Sequence, residues 1–193
     1  MRAADSRPYI KGAVKGTNAM TRDDLKRFRA LDIDFYAVDL PDGGEDFDYF
    51  CTPVGAECVG CLGWDGIHFV ILPEDERVFC VDPWSGEGKY VLPVGSNFRE
   101  FLSFVLYCRG SSPLALLYGM SEESFRSCLV EMERERAEYA AQTDAVLSAI
   151  AREFDLAPVD PFEKVKALQA SFDPSALEFS DEYYDVLGLE RPQ

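Results

Sequence analysis

From Gly63 to Leu102 the chain reads GWDGIHFVILPEDERVFCVDPWSGEGKYVLPVGSNFREFL, short apolar runs separated by breaks rich in Pro and Gly. Ile67 to Leu72 is almost continuously apolar, the pattern of a central strand covered on both faces. Pro73-Glu74-Asp75 turns the chain and Val78 to Val81 returns it as a second strand. Pro83 to Gly88 then leads into a third strand over Lys89 to Val94. Asn97 caps a helix, with Glu100 in the capping-box position. Phe98, Phe101, Leu102, Val105 and Leu106 give this helix one broad apolar face, and Gly110 stops it. The helix is expected to cover one face of the sheet.

The flanks carry weaker patterns. Little regular structure is expected through Met20. Thr21 opens a helix, with Asp24 at capping-box spacing and Leu25, Phe28 and Leu31 on one stripe. IDFYAVDL alternates Ile33, Phe35 and Ala37 and reads as a strand; Pro41-Asp42-Gly43-Gly44 is a turn, and Phe47 to Thr52 would close a hairpin. After Gly110, Ser112-Pro113 starts a short helix. Ser121 opens a long one, with Phe125, Cys128, Leu129, Met132, Tyr139, Val146, Ile150 and Phe154 on its stripe. Pro158 to Pro161 breaks the pattern and Phe162 to Phe172 resumes it, while Tyr183, Tyr184, Val186 and Leu187 predict a tail that packs back onto the body. The expected organisation is a basic, mostly irregular leader over 1–20, an α+β domain over 21–110, and a helical extension over 111–193.

Charge narrows the choice of partner. The 193 residues carry 35 acidic and 19 basic side chains, a net charge of -16, which disfavours nucleic acid and anionic membrane and favours encounter with a cationic protein. Residues 1–30 hold eight basic groups against Asp5, Asp23 and Asp24, a net of +5, so the rest carries -21. A basic leading segment docking on the acidic body is one expectation from that asymmetry. MRAADSRPYI lacks the apolar run of a secretory signal, and no apolar stretch approaches the ~20 residues of a membrane span. A cytoplasmic location, with six reduced cysteines, is the expectation that follows.

Catalytic parts are scarce. His68 is the sole histidine, and no Gly-x-Ser-x-Gly, phosphate-binding loop or dinucleotide fingerprint occurs. Cys58-Val-Gly-Cys61 has the spacing of half a zinc site, which Cys51 and His68 could complete, but no second Cys-x-x-Cys follows. A thioredoxin-like pair belongs at a strand-to-helix turn, and His68 shares strand parity with Val70 and Leu72, which points it into apolar surroundings. No catalytic residue, metal or cofactor is therefore assigned. Trp64 reads as packing, whereas Trp84, between Pro83 and Ser85-Gly86, is the better interface anchor. Asp39, Asp42, Glu45, Asp46 and Asp48 form an acidic run with no basic residue in it and no calcium-loop spacing. The candidate partner-binding set is Trp84, Asp42, Glu45, Asp46, Asp48 and Glu87.

GWDGIHFVILP, FCVDPWSGEGKYVLPV and SNFREFLSFVLYC, in that order and spacing, resemble the SUKH superfamily, named partly for a yeast regulator of cell-wall glucan synthesis. The family's V-x-P-V-x-x-x-F-x-x-F-L is matched by Val91, Pro93, Val94, Phe98, Phe101 and Leu102, and the likeness spans about Thr21 to Arg109. The resemblance implies an α+β fold: a curved, mainly antiparallel sheet flanked by helices, here with a helical C-terminal extension. It also implies a non-enzymatic protein-binding role, as in bacterial immunity proteins that neutralise toxins, often nucleases. An intracellular regulatory scaffold of the cell-wall regulator type is the alternative, and a small zinc-binding protein a lesser one.

Overall fold

The computed structural model describes residues 17–42, 47–63, 65–86 and 88–191. Among them, four short strands pair in chain order as one antiparallel meander: β1 (Glu57–Cys61), β2 (His68–Ile71), β3 (Val78–Val81) and β4 (Val91–Gly95). The register runs His68 opposite Val81 and Ile71 opposite Val78 between β2 and β3. β2 and β3 are buried at every position, as their unbroken apolar sequence requires when both sheet faces are covered. The fold is α+β.

One face of the sheet presents Val59, Phe69, Ile71, Val78, Cys80 and Val94 to the helices. Against it lies α2 (Phe98–Cys108): the Asn97 side chain accepts from Glu100 N–H as expected, while the Glu100 carboxylate accepts from Ser96 N–H at 2.9 Å, one residue before the cap rather than at it. Phe101 packs on Phe69, ring centroids 5.2 Å apart, and Phe98 meets Phe28 of α1 (Thr17–Arg29) at 5.4 Å. The same core takes in α3 (Ser112–Leu116), α4 (Glu122–Glu135), α5 (Ala140–Phe154) and α6 (Phe162–Ala170) through Leu114, Phe125, Ile150, Phe154 and Val165. The C-terminal helices thus share one interior with the strands.

The opposite face carries Val70, Leu72, Phe79, Val81 and Val91. Cys51, Tyr90 and α7 (Asp181–Leu187) cover it. Tyr183 of α7 stacks on Phe179 at 4.0 Å, and Phe172 lies 5.5 Å from Phe79. A lone bridge between Pro53 and Phe179 ties this cover to the loop before β1.

Four expectations need correction. The 33–40 stretch is not a strand: Phe35–Val38 forms a 3-10 turn. Asp34 caps it by accepting from Tyr36 N–H, and Asp39 ends it in the left-handed region at φ 57°. Two aspartates at the ends convert an alternating pattern into a tight turn. Residues 47–52 form no strand either, and the described chain has no hairpin there; the strand on the other side of β2 from β3 is β1, which the sequence did not announce. The long helix expected from Ser121 is divided at Arg136, whose guanidinium reaches Asp39 at 2.7 Å, and a 3-10 turn over Ala137–Tyr139 links α4 to α5. Finally, α1 begins before Thr21, so Asp24 is no cap; its nearly buried carboxylate receives Arg99 Nε at 2.6 Å and Arg27 Nη1 at 3.0 Å.

The expected docking of the basic leader falls on residues 1–16, outside the described residues; the basic groups of α1 that follow it do pair with acidic side chains. Arg22 and Arg29 pair with Glu57 at 3.1 and 3.0 Å, and Arg27 with Glu153 at 2.6 Å. Such partly exposed pairs orient α1 more than they stabilise it. No single helix among the described residues is long and apolar enough to cross a membrane.

Candidate partner-binding site

The turn from β1 to β2 builds the site. Asp65 and Gly66 both adopt positive φ, 58° and 70°, and this reversal brings the end of β1 beside the start of β2. At Gly66 a side chain is excluded twice, by φ and by the Tyr49 ring, which would lie 2.3 Å from an added Cβ. Tyr49 therefore lies flat over the turn. Beneath it is a hollow of about 440 Å3, floored by His68 and Ile67 and walled by Tyr36, Phe47, Cys61 and Asp42. No Lys or Arg occurs among the described residues that line it, while Asp42 and Asp65 do.

His68 is locked in the floor, 1% exposed. Its Nδ1 lies 2.7 Å from Gly66 O, which can only accept, so the proton sits on Nδ1. Nε2 is then the acceptor for the Thr52 hydroxyl at 3.1 Å, and Thr52 Oγ1 in turn accepts from Tyr49 N–H at 2.8 Å. Burial pushes the imidazole below its ordinary 6.5, against the opposing pull of the Gly66 carbonyl and Asp48. Between the lowered folded value and 6.5 the unfolded chain binds the extra proton, so stability falls as pH drops through that window. The chain's single histidine gives an unobscured NMR titration. Its midpoint in the folded protein is expected below 6.5, and a midpoint at or above that value contradicts this environment.

Trp84 stands beside the hollow, on the carbonyl of its lining residue Asp65. Its indole is 75% exposed, yet Nε1–H donates to Asp65 O at 2.8 Å and its backbone N–H to the Asp82 carboxylate at 2.9 Å. A large aromatic held this way presents apolar area at little entropic cost on binding. Tyr36 is also 75% exposed and Tyr49 44%; these two rings line the acidic hollow, and Trp84 adjoins it through Asp65.

Of the sequence-selected set, Asp42 lines this hollow, Trp84 adjoins it through its bond to Asp65, and Asp48 is exposed and near enough to act on His68. Glu45, Asp46 and Glu87, like Trp64, lie outside the described residues. Asp39, grouped with this acidic run in the sequence, is instead structural: it accepts from Ser112 Oγ and Arg136, each at 2.7 Å, and its carbonyl accepts from Ser111 Oγ at 2.6 Å. Sequence reasoning missed Tyr36, Tyr49 and Asp65. The Asp-Gly turn was the available signal for Asp65; the tyrosines had none, because only the turn brings them together.

The Cys58–Cys61 pair lies in β1, not at a strand-to-helix turn, with its sulfurs 3.8 Å apart. Both His68 nitrogens are engaged, and no three His, Cys, Asp or Glu side chains among the described residues are placed to hold a metal ion. A second hollow, about 400 Å3, lies between α2, α4 and α5. Its two arginines are already paired, Arg109 with Asp144 and Arg136 with Asp39, each at 2.7 Å. Comparison with protein-family models, curated proteins and solved structures returns no match for this chain.

Proposed function

We propose that the protein is a non-catalytic binding domain, an immunity protein that blocks a cationic toxin such as a nuclease. The observation that carries the reading is Trp84, exposed and hydrogen-bonded to Asp65 beside an acidic hollow lined by Tyr36 and Tyr49. The resemblance of GWDG and the 91–102 segment to the SUKH pattern supports it, as does the net charge of -16. An acidic face speeds encounter with a basic domain, and desolvated aromatics hold the complex. A toxin acting on a polyanion carries a basic site, which is the surface such a face complements. A cytoplasmic location goes with this reading.

The test is a calorimetric titration with the product of the reading frame beside this gene. It is expected to bind about 100-fold or more tighter than an unrelated protein of similar basic charge, a difference of about 2.7 kcal/mol. Equal affinity for the two would refute the reading.

A further inference from the structure

We propose that Cys58 and Cys61 are a disulfide-forming pair, closed when the folded chain meets a small-molecule disulfide. This goes beyond the binding role and does not rest on it. In a regular strand, residues three apart point to opposite faces, so Cys-x-x-Cys within a strand cannot close. β1 is not regular. Cys58 stands opposite Val70, Gly60 opposite Phe69 and Cys61 opposite His68, which leaves Val59 as an extra, bulged residue. Residues facing one another across an antiparallel pair share a face, and Val70 and His68 are two apart. The bulge therefore puts both cysteines on one side, and their sulfurs meet at 3.8 Å. Gly60 makes this possible by close approach: an added Cβ would lie 3.0 Å from the Leu40 Cα and carbonyl oxygen. A bond of about 2.05 Å requires the sulfurs to close roughly 1.8 Å, with the bulge at Val59 drawing the two positions together.

Access is asymmetric. Cys61 is half-buried and lines the acidic hollow, whereas Cys58 is buried behind it. In the reaction the Cys61 thiolate attacks one sulfur of oxidised glutathione and expels one glutathione thiolate. The Cys58 thiolate then attacks the Cys61 sulfur of the mixed disulfide and expels the second. Two protein thiols are oxidised, one glutathione disulfide is reduced to two thiols, and the two thiol protons end on the leaving glutathiones. Cys61 faces Cys58, Asp42 and, across β2, His68; the Cys58 contact, then burial, then Asp42 push its thiol up. The reaction is accordingly slow at neutral pH and base-promoted. Cys51 and Cys80, the other buried thiols near the sheet, are also pushed up by burial, Cys51 to about 12.

The experiment treats the full folded chain with oxidised glutathione, quenches with N-ethylmaleimide, and maps the peptides by mass. The peptide holding both cysteines is expected to lose two hydrogens and take no maleimide, reversibly with dithiothreitol. Its formation rate should rise about tenfold per pH unit from about pH 7 to pH 9. Cys58→Ser should instead trap glutathione on Cys61. The proposal is overturned if both thiols still take maleimide after treatment at the higher pH, if glutathione stays on Cys61 of the natural chain, or if the cross-link forms between other cysteines.

Discussion

Phe101→Ala is expected to destabilise the protein by about 3–5 kcal/mol, the range for removing a fully buried ring that leaves a cavity. Phe101 is 0% exposed and lies between the sheet and α2, tilted on Phe69 at 5.2 Å and stacked on Phe98 at 6.4 Å. Phe98 in turn meets Phe28 and Phe154, so one truncation loosens the joint between strands, α1 and α5. Phe69 is anchored in β2 and Phe98 in α2, and neither can move in without breaking backbone pairing. Against a typical total stability of about 5–15 kcal/mol, this loss is large. Urea unfolding of both chains measures it: the midpoint should fall with little change in slope. A loss below about 1 kcal/mol would mean that this ring is not at the centre of the core.

The central part of the chain was legible because each boundary there is chemical. Pro73, Pro83 and Asn97 fix turns and a cap whatever lies elsewhere, and the structure places β2, β3, β4 and α2 between them. The 33–40 stretch was not legible for the opposite reason. Its alternation of Ile33, Phe35 and Ala37 suits a strand, and only the backbone bonds that Asp34 and Asp39 accept or donate turn it into a 3-10 turn. Asp39 holds that conformation because Arg136 and Ser112, nearly 100 and 73 residues away, bind its carboxylate. β1 escaped notice because ECVGC is five residues long, contains a glycine and is bulged, so it shows no period of two. The site was half legible. Trp84 and Asp42 stood out by residue type, but the grouping of Asp42 with Tyr36 and Tyr49, and the seat of Trp84 on Asp65, depend on the left-handed turn at Asp65 and Gly66, a tertiary arrangement.

The proposed docking surface is the acidic hollow with Trp84 beside it, and Trp84 is the residue whose loss separates it from a merely acidic surface. The most direct measurement is the affinity of Trp84→Ala for the neighbouring-frame product, with a thermal melt as control. An anchor of this kind contributes about 2–4 kcal/mol, so binding is expected to weaken about 30- to 1,000-fold. The melt should stay essentially unchanged, because the indole is 75% exposed and packs on no core. Binding within about threefold of the natural chain's, at unchanged stability, would contradict the account and move the interface elsewhere on the molecule.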